Sequence, residues 1–186
     1  VVARAAKQDI AAGRGFDDVV LVTAEQDVTP AGACRGDDGV GPLLAHRLRE
    51  LTVDGFVVVE DHQLNIEHVT DFDGTTPLLF VDASIAIEQG SRLDRIGPSQ
   101  DGNFSTHAIS PQALLNVYRQ TTGLTPPPAF LLHVAAREFA LGASLSDTAE
   151  DAVKAALAAL EQIFAKPPGQ WLGYLEHNPQ TRLTTR

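Results

Sequence analysis

A chain of 186 residues has the length of one domain at roughly 150 residues each, and a content of 44% hydrophobic and 20% charged residues argues against disorder. With 14 basic and 24 acidic residues the net charge is −10, which argues against a general binder of nucleic-acid backbones. The lone cysteine, Cys34, excludes an intramolecular disulfide and a thiolate-rich zinc site, and no apolar run approaches the ~18 residues that span a bilayer.

Residues 1–16 carry Arg4 and Lys7 but no continuous apolar stretch, so they read as an extension rather than a secretory signal. Val19-Val20-Leu21-Val22 predicts a strand, followed by a polar loop through Thr29-Pro30-Ala31-Gly32. Val40, Leu43, Leu44, Leu48 and Leu51 then share one helical face, with Pro42 in the first turn. Phe56 to Val59 predicts a second strand and Ile66 to Phe72 a short helix. Pro77 to Ala83 predicts a third strand, ending on Asp82.

Residues 84–109 mix loop signals with a candidate strand around Ser91 to Ile96. Ser110-Pro111 opens a helix through Leu114, Leu115 and Tyr118, with Ser110 as its N-cap. Pro128 to Ala135 is a further apolar strand. Asp147-Thr148-Ala149-Glu150 has capping-box spacing and opens a long helix whose buried stripe is Val153, Leu157, Leu160 and Phe164. From Pro167 the chain is rich in Pro, Gly, Thr and Gln and reads as a peripheral tail over 167–186. The alternation predicts an α/β fold over 17–166: a single three-layer domain, its mostly parallel, twisted sheet of about five strands covered by helices on both faces.

In such sheets ligands collect beyond the carboxyl ends of the strands. Asp37 and Asp38 in Arg35-Gly36-Asp37-Asp38-Gly39-Val40-Gly41, Asp82, and His107 before Ser110-Pro111 all fall at or beside such ends. Two carboxylates and an imidazole suit a borderline divalent cation such as nickel or zinc. Each also has a plainer role. Asp37 or Asp38 can cap the first helix, Asp82 can accept backbone N–H bonds, and His107 can be a surface or structural histidine. The same holds for His46, His62, His68, His133 and His177, of which His62, in Glu60-Asp61-His62-Gln63 at the end of the second strand, is placed to be an extra or supporting ligand. The zincin helix, the Gly-x-Ser-x-Gly elbow and the Walker loop are all absent from the sequence.

Taken in order, Gly36-Asp37-Asp38-Gly39-Val40-Gly41, Phe80-Val81-Asp82-Ala83, Thr106-His107 with Ile109-Ser110-Pro111, and Leu141-Gly142 with Leu145-Ser146 resemble the hydrogenase maturation proteases. These endopeptidases trim the C-terminus of the nickel–iron hydrogenase large subunit. Gln63-Leu64 to Glu67 looks like the branch serving soluble, NAD-linked hydrogenases. The resemblance implies that Asp38, Asp82 and His107 contact the metal and carry the reaction. It also implies that the metal is nickel already installed in the substrate, with zinc or cadmium able to take its place in crystals. The implied partner is the hydrogenase large-subunit precursor, with neither nucleic acid nor membrane. The sequence does not give the oligomeric state, for which a monomer is the default, and the single cysteine fits a cytoplasmic location.

One feature departs from the pattern. The family usually carries Gly-x-Gly-Asn after the first strand, where this chain has Thr23-Ala24-Glu25-Gln26-Asp27 and a longer Pro/Gly-bearing insertion up to Arg35. Loss of those glycines removes tight turning and close backbone approach. That leaves open a second reading, a nickel- or precursor-binding maturation factor that does not cleave. A third is an unrelated metallohydrolase. Which group acts as base is open.

Overall fold

The computed structural model describes residues 19–24, 36–50, 56–61, 63–99, 109–167, 170–177 and 181–183. Its elements in chain order are β1 (Val19–Ala24), a 3₁₀ turn (Gly36–Gly39), α1 (Val40–Glu50), β2 (Phe56–Asp61) and a 3₁₀ segment (Ile66–Asp71). They continue as β3 (Leu78–Ser84), β4 (Ser91–Ile96), α2 (Pro111–Thr122), β5 (Ala129–Ala135), α3 (Asp147–Phe164), α4 (Trp171–His177) and β6 (Thr181–Leu183).

Among the described residues six strands form one sheet in the order β2-β1-β3-β5-β4-β6. The four on the β2 side run parallel. β4 is antiparallel to β5 because the chain returns from β3 through residues 85–90, too short a connection for a crossover to a parallel strand. The predicted α/β class and mostly parallel sheet with helices on both faces are therefore what forms, with six strands among the described residues against the expected five or so.

Central strands buried on both faces need continuous apolar runs, which is why they were legible. In β3, Leu79 and Val81 face a larger core made with α1, α3 and α4, whereas Leu78 and Phe80 face a smaller one under α2. β5 divides likewise, Phe130, Leu132 and Val134 against Ala129 and Leu131. Val40, Leu44 and Leu48 make the buried face of α1, with Leu43 packed at its margin; Leu51 lies outside the described residues.

The segment after Pro167 corrects the expectation of a peripheral tail. Trp171 is only 1% exposed, meets Phe164 edge-on at 5.0 Å between ring centroids, and donates its indole N–H to the Lys166 carbonyl at 2.7 Å. Leu175 on the same short helix is fully buried in the larger core. Burying an indole and a leucine is worth roughly 1.5–3 kcal/mol for each side chain, enough to hold a segment that is otherwise polar. β6 then pairs with β4, Leu93 opposite Thr181. No helix among the described residues is long and apolar enough to cross a membrane.

Candidate functional site

β1 leads through the 3₁₀ turn and α1 to β2 on one side, and the chain then comes back to β3 on the other side of β1. The reversal opens a crevice beyond the carboxyl ends of β1 and β3, the usual ligand position in open α/β sheets. Asp38 lies in the turn after β1, and Asp82 near the end of β3. The strand continues two residues past Asp82, to Ser84, so the acid stands within the last turn of pairing rather than at its end.

The two carboxylates are close enough to feel one another. Asp82 keeps an exposed surface, yet the protein around it withholds part of its hydration. That desolvation, with the Asp38 charge added to it, pushes its pKa up to about 6 against the pull of the Ala83 backbone N–H. Asp38 is half-buried. Paired carboxylates of this kind can bind a divalent cation, which removes their repulsion, or share a proton. Among the described residues no group of three or more His, Cys, Asp or Glu side chains is arranged to hold a metal ion. His107 lies outside the described residues, as do His62, Cys34 and Arg35, so the structure brings together two of the three expected site residues.

Asp37, the neighbour of Asp38, does something the sequence left ambiguous. It is 0% exposed, and both of its oxygens are engaged by the loop after β5 and the residue before α3. Its Oδ2 accepts the backbone N–H of Arg137 (2.5 Å) and of Glu138 (2.9 Å) and the Ser146 hydroxyl (2.8 Å); its Oδ1 accepts the Ser146 N–H (2.7 Å). Burial alone would raise its pKa, but these four bonds outweigh it and hold the carboxyl below the ordinary carboxylate value. The turn is sewn to the loop after β5 by backbone as well: Asp37 N–H donates to the Glu138 carbonyl at 2.7 Å and Gly36 N–H to that of Ala143 at 3.2 Å. Gly36 has φ +52°, and a side chain there would collide with the Glu138 carbonyl.

Ser146 also N-caps α3, its hydroxyl oxygen accepting from Ala149 N–H at 3.2 Å. This corrects the capping-box reading that began at Asp147, because the extended backbone that a cap requires (φ −70°, ψ 156°) falls on Ser146. Ser110 caps α2 as expected.

The other described histidines serve local structure. Buried His68 accepts the Asn65 N–H at its Nδ1 (3.0 Å) and faces Asp61 with its Nε2 (3.4 Å). His133 sits opposite Asp82 in the β3–β5 register but turns its Nε2 toward buried Asp94 on β4, 3.3 Å away. Burial lowers its pKa despite the pull of Asp94. His46 pairs with Glu50 on the surface, and His177 meets the Gly173 carbonyl.

Neither a family model nor a curated protein matches this sequence. Solved structures do. A [NiFe] hydrogenase maturation protease, HycI, from Thermococcus kodakarensis KOD1 aligns at a TM-score of 0.59 and 18% identity, over 86% of this chain and 98% of its own. The endopeptidase HycI from Escherichia coli aligns at 0.56 and 21%, over 82% and 93%. The hydrogenase maturating endopeptidase HybD from E. coli aligns at 0.57 and 16%, over 80% and 92%. This chain therefore has the fold of the hydrogenase maturation proteases, as the ordered motifs implied.

Proposed function

We propose that the chain is an endopeptidase that removes the C-terminal extension of a nickel–iron hydrogenase large-subunit precursor. In this reading it recognises precursor-borne nickel through Asp38, Asp82 and His107. The observation that carries the reading is the Asp38–Asp82 pair at the carboxyl ends of β1 and β3, in a fold shared with proteases of that description. Two carboxylates held in mutual repulsion bind a cation more favourably than either would alone, because the cation relieves the repulsion. The precursor would supply that cation together with the scissile peptide. On the enzyme side, the carboxylates orient the metal-bearing end of the precursor. Asp82, with a pKa near 6, can also hold or release a proton while water adds to the peptide carbonyl. Ile85, Phe139 and Leu141 expose apolar surface on the loops after β3 and β5, which suits a protein substrate better than a small one.

Incubating nickel-loaded precursor with the protein and weighing the precursor by mass spectrometry tests the reading. The expected result is loss of the C-terminal extension with the wild-type chain and none with Asp82→Ala. Normal trimming by Asp82→Ala would remove that residue from the mechanism.

The departure at Thr23-Ala24-Glu25-Gln26-Asp27 favours one second reading, a maturation factor that binds the nickel-bearing precursor without cutting it. Nickel-dependent binding by the wild-type chain with the precursor mass unchanged would select it.

A further inference from the structure

Two acids that repel each other stay at a working separation only if something ties their backbones together. The Asp38 turn and the Asp82 strand end belong to different connections of the sheet, and Arg137, two residues past β5, is bonded to the turn and to the loop that follows β3. Its backbone N–H donates to Asp37 Oδ2 at 2.5 Å, one residue from Asp38. Its guanidinium donates through Nη1 to the Ile85 carbonyl (3.1 Å) and through Nη2 to the Ile87 carbonyl (3.2 Å), in the loop that leaves β3 just past Asp82.

The end of β5 lies under that loop, with Ala136 N–H donating to the Ser84 carbonyl at 3.2 Å and Ala135 N–H to that of Gly90 at 2.9 Å. Arg137 therefore emerges where it can reach forward to the return loop and backward to the acidic turn. The planar, forked guanidinium serves two carbonyls at once through separate nitrogens, a geometry that the single ammonium of lysine does not reproduce. An exposed arginine needs no such partners for its own solvation, so two directed bonds from it act on the loop.

We propose that Arg137 is a positioning residue: it staples the Asp38-bearing turn to the Asp82-bearing end of β3 and so sets the separation of the two carboxylates that receive the substrate. Its effect on cleavage rests on the endopeptidase reading; the staple itself does not.

The test uses Arg137→Ala, which keeps the backbone N–H to Asp37 and removes only the guanidinium. A displacement near 1 Å at reacting groups costs on the order of 100-fold. The variant should therefore lose roughly 10- to 100-fold in kcat on nickel-loaded precursor, with KM and Tm nearly unchanged. Guanidinium ion added well below denaturing concentration should restore part of the loss, and Arg137→Lys should fall between the two. An unchanged kcat overturns the proposal, as does a loss that follows Tm and resists rescue. A second measurement does not depend on activity. In Arg137→Ala the backbone amide NMR signals of Asp38 and Asp82 should both shift, whereas changes confined to residues 85–87 and 137 overturn the staple. If the wild-type chain does not cleave the precursor, the endopeptidase reading fails while the NMR outcome still decides the staple.

Discussion

At the carboxyl end of the sheet two acidic regions are treated in opposite ways. Where the 3₁₀ turn meets the loop after β5, Asp37 is wholly buried, accepts four hydrogen bonds and has a lowered pKa. At the end of β3, Asp82 keeps an exposed face, lies within range of another negative charge and has its pKa raised to about 6. A carboxylate whose donors are all in place is a fastener, stabilising because it is charged. One that is short of solvation and beside a like charge stores unfavourable energy that a cation or proton can release. The contrast separates Asp37 from Asp82, two acids at the same end of the sheet that composition makes look alike.

Removing the fastener should cost most. Asp37→Ala takes the acceptor from three backbone N–H groups and a hydroxyl in partly buried bonds to a charged group, at about 1 kcal/mol each once water replaces part of the loss, so urea unfolding should show a loss of about 3–4 kcal/mol. The pH dependence carries the sign. Because the folded pKa lies below the ordinary 3.8, the stability from this group is present above that value. That part disappears as the pH falls through the folded pKa, so the gap between wild type and variant should narrow in acid. A loss that is flat down to pH 2 would mean that the carboxylate charge is not what fastens the loop.

Gly36→Ala attacks the same seam through the backbone, combining a left-handed φ with a collision at the Glu138 carbonyl. About 2–3 kcal/mol of destabilisation is expected in the same urea titration. Ser146→Ala, which loses the α3 cap and the bond to Asp37, should cost about 1–2 kcal/mol, with helix α3 exchanging its first-turn amides faster.

The smallest change has the opposite sign. With its folded pKa raised, Asp82 is protonated to higher pH in the folded chain than in the unfolded one, so its own contribution to stability falls as pH rises from about 4 to about 6 and stays lower above. Asp82→Asn removes that loss. It should match wild type near pH 4 and melt slightly higher at pH 8, by less than about 1 kcal/mol given the group's exposure. A lower melting point at pH 8 would make Asp82 a second fastener and erase the contrast.

Much of this architecture was legible because burial on two faces writes itself as apolar runs: Leu78 to Val81 and Ala129 to Ala135 could hardly be anything but interior strands. Asp82 stood out for the same reason, as an acid interrupting such a run. The helix starts at Ser110 and near Asp147 followed from capping chemistry, the second displaced by one residue to Ser146. The last helix is not legible locally because its signal is only Trp171 and Leu175, four residues apart in a polar stretch, and β6 forms by pairing with the edge that β4 offers. Arg137 carried no signal at all, since an arginine between a strand and a loop is ordinarily a solvated one.

The sequence by itself determined the alternation of strands and helices, the two-sided burial of the sheet and the placing of an acid at the end of β3. These depend on side-chain periodicity within a few residues, which local composition records. That Asp37 is a fastener, and what ties its turn to the loop beyond Asp82, was decided only by tertiary structure. The partners of Asp37 lie 100, 101 and 109 residues away, at Arg137, Glu138 and Ser146. A carboxylate becomes a buried, charged fastener or a strained, exposed one according to the donors and charges around it, and at that separation only the folded chain brings them together.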